Sequence, residues 1–181
     1  REVLFDVWNG VENHTHATYG RFRLSIDHTN GSSGSPFLLT VLQGTKGAQD
    51  QQIGANLTNA SITDWTHVAI SLKSDSTNLN YSFYINGVLN QTGTVGTNQS
   101  LTEITGKLRM HLGALGYAPK GTSLVEGDGK FSGSLDEFRF WKADRNEKDI
   151  GRNWWDQVGG GSNTDTANVH LGVYYKFNEG I

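Results

Sequence analysis

Short stretches in which apolar and polar residues alternate, broken by polar turns, constrain this chain more than any other feature. Val3, Phe5 and Val7 alternate with Glu2, Leu4 and Asp6, and Phe22, Leu24 and Ile26 alternate with Arg21, Arg23 and Ser25. Successive side chains on a strand point to opposite faces, so each stretch predicts a strand with one face buried and one wet. Residues 37–42 are apolar on both faces and suit a central strand. Within residues 65–73, Val68, Ile70 and Leu72 share a face. Tyr81, Phe83 and Ile85 alternate up to Asn86-Gly87. That pair accepts positive φ at both positions, as a type I′ hairpin turn requires. Residues 107–115, 131–141 and 170–178 complete the strand-like stretches, and the spacing fits a sandwich or barrel.

One stretch has helical period instead. Asp144 is a candidate cap with Glu147 three residues on, a capping-box pattern. Ile150, Trp154 and Val158 then recur at every fourth position, and Gly159-Gly160-Gly161 would end the helix. The expectation is one short helix near residues 145–157, packed across the rim of an all-β sandwich. Trp65, Trp141, Trp154 and Tyr175 are read as core, and His67 as a structural histidine with its bonds satisfied.

Composition narrows the function classes. The 181 residues suit a single domain. Aromatic residues at 10% and a net charge of only -3 exclude a disordered chain. No basic stripe appears, so no nucleic-acid partner is expected. No run approaches about 18 apolar residues, so no membrane insertion is expected. Cysteine is absent, which removes disulfides, Cys-ligated zinc and thiol catalysis and points to a bacterial or phage source.

Several motifs together carry a family resemblance. They are Asp64-Trp-Thr-His-Val-Ala-Ile70, Tyr84-Ile-Asn-Gly-Val88, Leu108-Arg-Met-His-Leu-Gly113 and Phe131-Ser-Gly-Ser-Leu-Asp-Glu-Phe-Arg-Phe-Trp141, with Leu171-Gly-Val-Tyr-Tyr-Lys-Phe-Asn-Glu-Gly180 after the helix. In this order and spacing the chain resembles the laminin-G-like branch of the concanavalin A-like lectin/glucanase superfamily. The resemblance implies a two-sheet antiparallel jelly roll. It also implies a non-catalytic carbohydrate-binding or adhesion module, in a larger extracellular or virion-surface protein. Members usually begin with strands ahead of the first one here, so two or three N-terminal strands are expected to be missing. Self-association through the incomplete sheet edge, or the remainder of a larger protein, would cover the gap. The Asn-, Thr- and Gly-rich character also resembles domains of structural proteins from marine bacteriophages. A purely structural or assembly domain of a phage appendage is therefore the first alternative.

Glycoside hydrolysis, the second alternative, needs two carboxylates facing one cleft. Asp136 and Glu137 are adjacent and would point to opposite strand faces, so no acid pair is found and no enzyme is expected. Sugar binding needs exposed aromatic rings beside hydrogen-bonding groups. Trp8 with Asn13, His14 and Tyr19, Tyr117 on the long Gly-rich loop of residues 116–129, and Arg109 supply them. Arg109 shares a strand face with His111, and Trp8 is also suited to partial burial. For metals, His14-Thr-His16 is a weak zinc candidate. Glu126 and Asp128 lead toward Asp136, and such hard oxygens around glycines suit calcium, which laminin-G-like relatives often bind at a rim.

Overall fold

The computed structural model describes residues 1–30, 34–96, 106–119, 123–158 and 169–177. Among these residues, ten strands and one α-helix follow in chain order. They are β1 Glu2–Trp8, β2 Gly20–Ile26, β3 Phe37–Gln43, β4 Lys46–Gln52, β5 Val68–Ser74, β6 Leu79–Ile85, β7 Val88–Thr94, β8 Arg109–Leu112, β9 Phe138–Trp141, α1 Glu147–Asn153 and β10 Leu171–Tyr175. A 3-10 turn at Asn59–Ile62 lies between β4 and β5. A five-stranded sheet runs β4-β3-β2-β1-β8, a three-stranded sheet runs β5-β6-β7, and β9 pairs with β10. Every pairing among the described residues is antiparallel. This is the expected all-β antiparallel sandwich of jelly-roll type.

The core lies between the five- and three-stranded sheets. Leu24, Ile26, Phe37, Leu39 and Val41 come from the first, and Leu79, Tyr81 and Phe83 from the second. Phe37 and Phe83 are fully buried and meet edge to face, with ring centroids 5.2 Å apart. Such pairs add to the transfer free energy of the rings themselves. Phe138 of β9 approaches Phe5 of β1 at 6.0 Å, so the β9–β10 pair also faces the five-stranded sheet. The central position of β3 and the Asn86–Gly87 turn match the sequence reading; Asn86 has φ 50 and Gly87 φ 75. Gly87 is required twice over, because a Cβ there would lie 2.0 Å from Trp154 Cδ1.

Other expectations need correction. The helix is capped by Asn146, whose side chain accepts from the Asp149 amide at 2.9 Å, and not by Asp144. It stops at Asn153 with Trp154 as its C-cap, so Val158 lies beyond it, and Gly159-Gly160-Gly161 falls outside the described residues. The strand expected over residues 131–141 forms only from Phe138, because Glu137 takes a left-handed backbone (φ 53) that breaks the pleat. Trp65 is not core: it precedes β5 on a loop and is 73% exposed. Tyr175 is half exposed, while Trp141 and Trp154 are half-buried under Arg145 and beside His67. Strand β4 has no apolar period and went unread. Its signal is the two-residue Gly44-Thr45 turn, with Gly44 at φ 57.

His67 is half-buried, and its buried Nδ1 has no partner among the described residues. Burial drives its pKa from 6.5 to about 4, and the nearby Arg139 charge adds to the effect. The unfolded chain therefore takes up a proton that the folded chain refuses between these values. This contribution to stability is complete above pH 6.5 and is lost as pH falls to about 4. Denaturant unfolding across that window is expected to show the loss in the parent and a flatter profile in His67→Phe. Gly87→Ala is expected to cost about 1–3 kcal/mol more than Gly127→Ala, since overpacking adds to backbone strain. Gly127 has a comparable φ of 85 and nothing within 4 Å of its Cβ position, so paired unfolding curves isolate the clash.

Candidate functional site

Strand register decides which side chains share the outer face of the five-stranded sheet. Trp8 opposes Arg21 on β2 and Arg109 on β8; Asp6 opposes Arg23 and His111. Directly opposed residues on antiparallel neighbours project from the same face. The face away from the core therefore carries Asp6, Trp8, Arg21, Arg23, Arg109 and His111. The sequence predicted that this face would be wet on β1 and β2. It is buried instead: Asp6, Arg21, Arg23 and Ser25 are each 2% exposed or less. The reason is that its charges pair with one another and a loop lies across them.

The pair at the centre is Asp6–Arg21. Arg21 Nε donates to Asp6 Oδ1 at 2.8 Å, and Nη2 donates to Oδ2 at 2.6 Å. The remaining donors of this fork reach the loop. Nη2 donates to the Tyr117 carbonyl at 2.7 Å and Nη1 to the Ala118 carbonyl at 3.2 Å. In return the Gly116 amide donates to Asp6 Oδ2 at 2.8 Å. Arginine suits this role because its planar fork holds a carboxylate and still has donors to spare. Next to it, Arg23 donates to Thr40 Oγ1 at 3.2 Å and pairs with Asp50. Burial opposes ionisation of Asp50, but Arg23 and Arg1 outweigh it and hold the carboxyl below its ordinary value.

The loop so held places Tyr117 on Trp8. Their rings are 4.2 Å apart and within 9° of parallel. Trp8 is fixed from two further directions. Its Nε1 donates to the Val11 carbonyl at 2.9 Å, and the Arg109 guanidinium sits 5.7 Å from its ring centroid. Around this stack is a pocket of about 260 Å³, lined also by His111, Gly116, Glu12 and Glu126. Gly116 permits the close approach, since a Cβ there would come within 2.8 Å of His111 Nδ1. Rings, a guanidinium, an imidazole and two carboxylates thus meet in one concavity.

Of the residues singled out from sequence, Trp8, Arg109, Tyr117 and Glu126 converge here. Trp8 is not an exposed ring: it is 5% exposed and forms the floor under Tyr117, which is half-buried by the stack instead of standing free in solvent. Tyr19 is 1% exposed and packs with Trp8 and Leu42, beneath the site and not on it. Asn13 does not line the pocket; its Oδ1 accepts from the Thr15 amide and hydroxyl, closing its own turn. His14 lies half-buried in the same loop, also outside the pocket. Asp128 Oδ2 accepts from the Val125 amide and Asp136 Oδ1 from the Glu137 amide. Among the described residues no three His, Asp or Glu side chains gather as metal ligands, so Glu126, Asp128 and Asp136 do not form a set. The same holds for the zinc candidate His14 and His16; His16 Nδ1 lies 2.7 Å from Thr18 Oγ1.

Glu12, Asp6 and Arg21 were missed. Opposite charges on the same face of two adjacent strands were the available signal for the last two.

The comparisons agree with this architecture. Residues 5–151 match the laminin G model of the Concanavalin A-like lectin/glucanases superfamily, and the chain belongs to that superfamily. No curated protein and no solved structure matched.

Asp6→Ala is expected to lower unfolding stability by about 3–5 kcal/mol, because it strands the buried Arg21 charge. Glu12→Ala, at an exposed pocket residue, is expected to stay within about 0.5 kcal/mol of the parent in the same urea titration.

Proposed function

We propose that this domain is a non-catalytic carbohydrate-binding module that holds a glycan or polysaccharide in the Trp8–Tyr117 pocket. The observation that carries the reading is the Tyr117 ring, backed by its stack on buried Trp8, with the Arg109 guanidinium 5.7 Å from the Trp8 centroid. Aromatic faces take the apolar face of a sugar ring. Charged side chains at the rim give hydroxyls the stronger, charge-assisted hydrogen bonds. Membership of a lectin/glucanase superfamily supports the same ligand class. Adhesion by a larger extracellular or virion-surface protein is the setting this reading implies. No helix among the described residues is long and apolar enough to cross a membrane. Self-association through a sheet edge belongs to the same reading, with β4 and β8 as the outer strands of the five-stranded sheet.

One observation favours hydrolysis as a second reading: Glu12 and Glu126 line the same pocket. Release of reducing ends from a retained glycan, abolished in Glu126→Gln, would establish it.

The test of the first reading is a glycan array run with calcium and again with chelator. Retention in both conditions is expected, because the proposed contacts are made directly by side chains. Loss with chelator alone would add a calcium ion near Glu126. Silence in both would shift the assignment to a structural or assembly domain. On a retained glycan, Arg109→Ala is expected to weaken binding roughly tenfold or more, the worth of one charged hydrogen bond. Its melting temperature should hold, since Arg109 is exposed. Tyr117→Ala is expected to lose binding as well, at a cost of about 0.5–1.5 kcal/mol in stability from the lost stack.

A further inference from the structure

We infer that Asp6 and Arg21 are positioning residues of the pocket: the buried pair exists to hold residues 116–118, and hence the Tyr117 ring, against Trp8. The functional meaning of that role rests on the carbohydrate reading above. Three consecutive loop residues present backbone groups to the pair: the Gly116 amide, the Tyr117 carbonyl and the Ala118 carbonyl. None of the three residues belongs to a strand, so no ladder satisfies these groups. Half-buried backbone groups need partners, and here side chains rising from β1 and β2 supply them. The sheet itself does not need charge at these positions. Arg21 lies opposite Leu42 on β3, and a well-packed apolar pair commonly replaces a buried ion pair without loss of stability. What an apolar pair cannot do is bind a loop by its backbone whatever side chains the loop carries. Tyr117 would then be free to leave Trp8.

The test replaces the pair with apolar residues of similar length, Asp6→Leu with Arg21→Met, and reads the loop without any glycan. Amide hydrogen exchange at Gly116 is expected to speed up roughly tenfold or more, the equivalent of one lost hydrogen bond. The ring-current shift that Tyr117 imposes on the Trp8 indole protons is expected to vanish. Amides at Phe22 and Leu39, in the body of the sheet, should keep their protection, and the melting temperature should stay within roughly 5 °C of the parent. Retained Gly116 protection and an unchanged Trp8 signal would overturn the inference. Collapse of the double variant would also overturn it, by showing that the sheet itself needs the pair. Arg21→Lys gives an independent reading, because it keeps the charge opposite Asp6 but loses the fork that reaches both carbonyls. That variant is expected to stay folded with a weakened Trp8 signal, and a full-strength signal would again overturn the inference. Because no ligand enters either experiment, a silent glycan array and a failure here are separate outcomes.

Discussion

The Asp6–Arg21 pair is the interaction on which the rest of the site depends. Both side chains are 1% exposed, so each would be intolerable without the other. Mutual neutralisation through two bonds removes most of that penalty, and the loop backbone takes up the remaining donors. A sheet face patterned for water is thereby turned into a floor on which a loop can rest. Trp8 stands on the same strand as Asp6, two residues away and on the same face. The strand that seals the core with Val7 therefore builds the pocket with its alternate residues.

The two faces of the five-stranded sheet divide the labour. Leu24, Ile26, Phe37 and Leu39 turn inward and pack with the three-stranded sheet in the buried core. Asp6, Trp8, Arg21 and Arg109 turn outward and form the buried ion pair and the wall of the pocket beside it. A binding loop laid over a rigid sheet can vary in sequence while its backbone stays anchored. That arrangement suits recognition, in which ring placement matters more than the identity of every contact. Tyr19, a sugar-binding candidate by residue type, instead packs with Leu42 against Trp8 beneath the site.

The fold was largely legible because it rests on local periodicity. Alternation in β1, β2 and β6, the apolar run of β3 and the Asn86-Gly87 turn each specify their element without reference to distant residues. The misses have physical causes. Strand β4 is held by pairing with β3 and has no apolar face of its own to announce it. Asn146 caps the helix through geometry that Asp144, two residues earlier, cannot supply. The site was half legible. Trp8, Arg109 and Tyr117 announce themselves by residue type, but their meeting depends on a loop folding back over more than a hundred residues of chain to reach Asp6. Local pattern holds no record of that closure, and this is why Asp6 and Arg21 were read as solvated.

The most direct measurement is an amide correlation spectrum of the protein titrated with a glycan that it retains, with the tryptophan indole signals assigned. With a ligand on the Tyr117–Trp8 stack, the signals of Arg109, His111, Gly116, Tyr117 and the Trp8 indole should move together and saturate at one affinity. Movement confined to the exposed Trp65 and Trp155 indoles, with those signals still, would contradict it.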